Sequence, residues 1–163
     1  MDFYQGVVVD YLRADRSLFL NPECFVQIKP GSAPPKGASW YCDILAADFE
    51  TKTVFLCEVT YSSTLQALLT RLKAWNDHWE EIRAALVHDS KLPESWPVRP
   101  WLFVPEKCLE PLCKGLEQIA CKEPLRFRPL ITTLEMVQPW TYNQYDRHGE
   151  MGKPDCIPAE MRV

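Results

Sequence analysis

Two neighbouring segments, residues 40–49 and 53–61, constrain this chain most, because each is apolar at both odd and even positions over a full strand length. In the first, Ile44 and Ala46 alternate with Leu45 and Ala47; in the second, Phe55 and Cys57 alternate with Val54 and Leu56. Strands with two apolar faces belong in the middle of a layered sheet covered on both sides. Only Glu50, Thr51 and Lys52 separate the two, so a hairpin is predicted. With Glu50-Thr51 as a two-residue turn, Asp43 falls opposite Glu58, Leu45 opposite Leu56 and Ala47 opposite Val54.

The flanking segments predict a layered α/β domain. Tyr4, Val7, Val8, Tyr11 and Leu12 form a helical stripe over residues 3–15. Phe25 to Lys29 reads as a strand, and Pro30 to Gly37 as a loop. From an N-cap at Ser63 or Thr64 to Val87, the residues Leu65, Leu68, Leu69, Leu72, Trp75, Trp79, Ile82 and Leu86 predict one long amphipathic helix. After a linker at Pro93 to Pro97, Trp101-Leu102-Phe103-Val104 is a short buried strand. Leu109, Leu112, Cys113, Leu116 and Ile119 predict a further helix, whose regular part starts near Pro111. Leu125 and Phe127, alternating with Arg126 and Arg128, read as a last edge strand, and residues 139–163 as an extended tail. Residues 1–138 thus form a single domain.

Composition narrows the function classes. A length of 163 residues with 47% hydrophobic content supports one real core. No apolar run approaches the roughly 20 residues that cross a bilayer, and the start lacks a secretion-signal pattern, so a cytoplasmic protein with no membrane partner is expected. Seven cysteines include no Cys-x-x-Cys pair and no histidine at zinc-finger spacing, which disfavours zinc and a disulfide framework. A net charge of −4 excludes a broad basic field for nucleic acid, leaving local patches at Lys29 and Lys36, at Arg71 and Lys73, and at Lys122, Arg126 and Arg128. His78, His88 and His148 are scattered and accompany no nucleophile. Trp75 and Trp79 follow the core stripe rather than a stacking surface.

The chemistry concentrates in Asp43 and Glu58. Two carboxylates facing each other on an apolar sheet lose hydration and repel, so they need a divalent cation, a shared proton or a nearby Lys or Arg. Mg²⁺ or Mn²⁺ suits such a pair, because these ions take oxygen ligands and keep waters.

The order helix, strand, strand, strand, helix, strand, with Trp40-Tyr41-Cys42-Asp43-Ile44 followed by Phe55-Leu56-Cys57-Glu58-Val59-Thr60, resembles the PD-(D/E)XK nuclease superfamily. The resemblance covers about residues 1–105. It implies a restriction-endonuclease-like αβββαβ core, a mixed central sheet flanked by helices, here with a C-terminal helix and strand extension. It also implies a metal-dependent phosphodiesterase acting on nucleic acid, with Asp43 and Glu58 as metal ligands and the Val59 carbonyl assisting. The motif lysine is replaced by Thr60, and the usual proline before the first acid by Cys42. Some members of the superfamily carry the basic residue on the following helix, where Gln66 and Lys73 are seven residues apart and hence about 20° apart around the axis. Lys73 is then the candidate cation, against the plainer reading of a solvated flank residue. Asp10 stands where many members keep an extra acid, against the plainer reading of an exposed helix aspartate. The rival functions are a catalytically inactive nuclease-fold module that binds nucleic acid or protein, and an unrelated α/β domain in which the acids pair with Arg71 or Lys73. Many nucleases of this fold dimerise, so a homodimer is a further expectation.

Overall fold

The computed structural model describes residues 2–28 and 40–142. Helix α1 (Phe3–Arg13) starts from a capping box in which Asp2 accepts from the Gln5 amide and Gln5 answers the Asp2 amide. Strands β1 (Leu18–Phe25), β2 (Tyr41–Asp48) and β3 (Thr53–Val59) follow, then helices α2 (Gln66–Asp77) and α3 (Trp79–Ser90). Strand β4 (Val98–Val104), helix α4 (Leu109–Ala120) and strand β5 (Leu130–Thr133) complete the order.

The sheet is mixed and open, in the order β1-β2-β3-β4-β5. The first three strands are antiparallel, while β3, β4 and β5 run parallel, as connections through helices require. One face packs on α1 through Val8, Val9, Tyr11, Leu12, Ile44, Phe55, Cys57 and Phe103. The other packs on α2, α3 and α4 through Leu45, Val54, Leu56, Leu72, Trp75, Ile82 and Leu112. Both faces of β2 and β3 are covered, which is why these strands are apolar throughout.

Leu45 pairs with Leu56 and Ala47 with Val54, the predicted register. The turn is longer than the two residues expected: Asp48 pairs with Thr53, and Phe49 to Lys52 connect them, with Lys52 at a φ of 53°. An even-numbered loop preserves the pairing. The buried Asp48 shapes this turn, accepting from Ser17 Oγ at 2.7 Å, Thr51 Oγ1 at 2.6 Å and the Glu50 amide at 2.9 Å.

Several boundaries differ from those predicted. The first strand occupies Leu18–Phe25, with Pro22 inside it, rather than 25–29; at the sheet edge the missing N–H of Pro22 faces no neighbour strand. The long helix is two helices meeting at His78, and neither Ser63 nor Thr64 caps it, because Thr64 donates its amide to Ser62 Oγ in the preceding turn. The fourth strand begins at Val98, three residues earlier than its apolar run. The last strand is Leu130–Thr133, not Leu125 to Phe127. The latter segment is held instead by Asn76, which accepts from the Arg126 amide at 2.8 Å, and by Phe127 packing on Trp79. Lys29, the 30–37 loop, His148 and the tail beyond Tyr142 lie outside the described residues.

Candidate active site

Asp43 and Glu58 sit at the end of the β2-β3 hairpin remote from its turn, one step beyond the last ladder pair, Ile44 with Cys57. The β1-β2 ladder is interrupted at the same level. Its register puts Glu23 across from Asp43, yet that pair is skipped, and Glu23 has a φ of 54°. The pleat changes phase there: Cys42 belongs to the face covered by α2 to α4, whereas Ile44, two residues on, belongs to the face covered by α1. A regular strand would keep both on one side. Asp43 lies at this phase change.

The Asp43 carboxylate is held from two directions. Its Oδ1 accepts from Gln5 Nε2 of α1 at 2.9 Å, and its Oδ2 accepts from the Val59 amide at 2.7 Å. Burial raises its pKa above the ordinary range, against the lowering effect of the Val59 amide and the charge of Arg71.

Glu58 is almost fully buried, at 3% exposure. Arg71 of α2 donates to its Oε2, and its Oε1 is buried with no hydrogen-bond partner among the described residues. Burial pushes Glu58 well above the usual carboxylate range, the charge of Asp43 adds to this, and Arg71 and the Asp43 backbone oppose both. Arg71 therefore acts on both acids. Asp48 makes the contrast: it too is buried, yet hydrogen bonds from Thr51, Ser17 and Glu50 overcome the upward push of burial and hold it below its ordinary value.

The remaining predicted residues are placed differently. Lys73 is exposed and pairs with Asp77 at 2.7 Å, and burial does not bring it to the acids. Gln66 and Lys73 share one flank, as their spacing requires, but that flank lines a groove between α2 and α4 together with Gly115, Gln118 and Lys122. Thr60 donates its amide to the Phe103 carbonyl at 3.0 Å and accepts on Oγ1 from the Ser62 amide at 3.3 Å. Val59 contributes its amide, to Asp43. Asp10 is exposed on α1. The α1 residue that reaches the acids is Gln5, which the sequence reading did not single out.

The donor set bears on the implied metal. Among the described residues no three His, Cys, Asp or Glu side chains converge on one point. Two carboxylates suffice for a hard ion that keeps most of its waters, and Glu58 Oε1 is an acceptor with nothing to accept. Asp43 and Glu58 supply oxygen donors of the kind that Mg²⁺ or Mn²⁺ takes. Rings cluster beside Gln5 and Val59 in the chain: half-buried Tyr4 stacks on Tyr61 at 4.7 Å, Phe3 meets Tyr4 edge-on at 5.3 Å, and Phe3 and Tyr61 are exposed.

No protein-family model matches the chain, and neither a curated protein sequence nor a solved structure shows significant similarity to it. No helix among the described residues is long and apolar enough to cross a membrane.

Proposed function

We propose that this chain is a metal-dependent, nuclease-like phosphodiesterase of the restriction-endonuclease-like fold, with Arg71 in the role that the superfamily gives to its motif lysine. The observation that carries this reading is the buried, unpartnered Oε1 of Glu58 beside Asp43. A buried polar atom left unsatisfied costs about 1–3 kcal/mol, more when charged, and a cation that binds there removes the cost.

Asp43 and Glu58 would hold Mg²⁺ or Mn²⁺, which supplies a polarised phosphoryl oxygen and an ionised water. Gln5 and the Val59 amide fix the Asp43 carboxylate, so its direction does not depend on the metal. Arg71 donates to Glu58, its charge also acts on Asp43, and it carries the planar donor fork that matches a phosphate. Thr60 cannot supply charge, and Lys73 is engaged by Asp77. The exposed rings of Phe3 and Tyr61 offer π-faces on which unpaired bases stack.

Incubation of labelled single-stranded and duplex DNA and RNA with Mn²⁺ tests the reading. Cleavage that disappears in Asp43→Asn and Glu58→Gln variants, with folding retained, is the expected result. The second reading, a catalytically inactive module of the same fold, is favoured by the Arg71–Glu58 pair, which already offsets one negative charge. It predicts binding without cleavage and no response to Mn²⁺.

A further inference from the structure

Cys24 of β1 and Cys42 of β2 are register partners in the antiparallel ladder, immediately beside the skipped Glu23–Asp43 pair. Directly opposed residues in such a ladder have Cα atoms about 4.5–5.5 Å apart and side chains on the same face. That separation lies inside the range a disulfide spans, about 4.4–6.8 Å. Both side chains belong to the same packed cluster. The Cys24 thiol donates to the Phe25 carbonyl at 3.8 Å, a weak contact that leaves the sulfur free to turn toward Cys42.

We propose that Cys24 and Cys42 form an oxidisable dithiol that closes to an intrachain disulfide linking β1 to β2 next to Asp43. Cys24 is half-buried and accessible to a small oxidant, whereas Cys42 is 1% exposed and reachable only by its partner. The roles follow from this difference. With a peroxide as oxidant, the Cys24 sulfur attacks one peroxide oxygen, the O–O bond breaks, and the leaving oxygen departs as water or an alcohol, giving a Cys24 sulfenic acid. The Cys42 sulfur then attacks the Cys24 sulfur. The S–S bond forms, the S–O bond breaks, and hydroxide takes up the Cys42 proton and leaves as water. The dithiol loses two electrons and two protons, which the peroxide receives.

No other pair of described cysteines is matched in this way. Cys57 lies on β3 among the residues packed on α1, and Cys108 donates to the Ser62 carbonyl at 3.7 Å. Among the described cysteines Cys121 is the exposed one, open to crosslinks between copies. The disulfide would place a covalent rung beside the rung the ladder lacks and would fix the strand phase at Asp43.

The test uses the folded, full-length chain carrying Cys121→Ser, treated with hydrogen peroxide, blocked with an alkylating agent, digested without reduction and mapped by mass. The expected result is a crosslinked peptide joining Cys24 to Cys42 that dithiothreitol removes and Cys24→Ala abolishes. Over-oxidation of Cys24 to the sulfinic acid with Cys42 left as a free thiol after denaturation overturns the proposal. So does a crosslink that joins Cys24 to any other cysteine. The readout needs no metal and no substrate, so it is separate from the nuclease reading.

Discussion

Arg71 donates to one oxygen of Glu58 while the other oxygen of the same carboxylate is buried with no partner among the described residues. Removing Arg71 leaves Glu58 without its donor and takes a positive charge from the neighbourhood of Asp43. Arg71→Ala is expected to destabilise the fold by about 3 kcal/mol, in line with the loss of one partner from a buried pair. Urea unfolding measures this. The double variant Arg71→Ala/Glu58→Gln should recover much of the loss, because the amide carries no charge to leave unpaired. Equal instability of the single and double variants would assign the effect to lost packing of the arginine stem.

The raised pKa values of Glu58 and Asp43 make stability depend on pH in a definite direction. In the folded state both hold their protons to higher pH than in the unfolded chain. Stability is then greatest below the ordinary carboxylate range and falls as pH rises through the folded values. Unfolding midpoints measured upward from the ordinary carboxylate range should decline with pH in the wild type, and Glu58→Gln should flatten that decline.

Asp48 predicts the opposite slope, because it is held below its ordinary value of 3.8. Its contribution is present above that value and lost as pH falls below it. Asp48→Ala should cost about 2 kcal/mol through the hydrogen bonds lost in the β2-β3 turn, and should leave metal binding and cleavage unchanged. It is the control that separates a structural acid from the candidate site.

Tyr61→Ala removes an exposed ring without touching the acids. Binding of single-stranded oligonucleotides, followed by fluorescence anisotropy, should weaken by about 1–3 kcal/mol per base no longer stacked, while duplex binding stays unaffected. Equal weakening of both would place the ring against the backbone instead.

Much of this architecture is legible in the sequence, and the parts that are not have physical reasons. The central hairpin is legible because two doubly apolar strands lie three residues apart; its register was inferred from an assumed two-residue turn, and a longer even turn kept it. Strand β1 was obscured by Pro22 and by polar residues that an edge strand tolerates. Strand β5 was obscured because Arg126 and Phe127 alternate like a strand but are tethered to Asn76 and Trp79. Within the site, Asp43 and Glu58 stand out as acids in apolar strands, whereas Arg71 looked no better than Lys73. Its signal was positional: three residues after Leu68 and four before Trp75, Arg71 lies on the buried stripe of α2, and Lys73 lies off it. Gln5 carried no signal, since its contact with Asp43 joins residues 38 apart in the chain.

The most direct measurement is a calorimetric titration of Mn²⁺ into the wild-type protein and into Glu58→Gln at neutral pH. Saturable binding of one ion by the wild type, with no binding by the variant, is the predicted result. Absence of saturable binding to the wild type, or equal binding by both proteins, would contradict the assignment of Glu58 as a metal ligand.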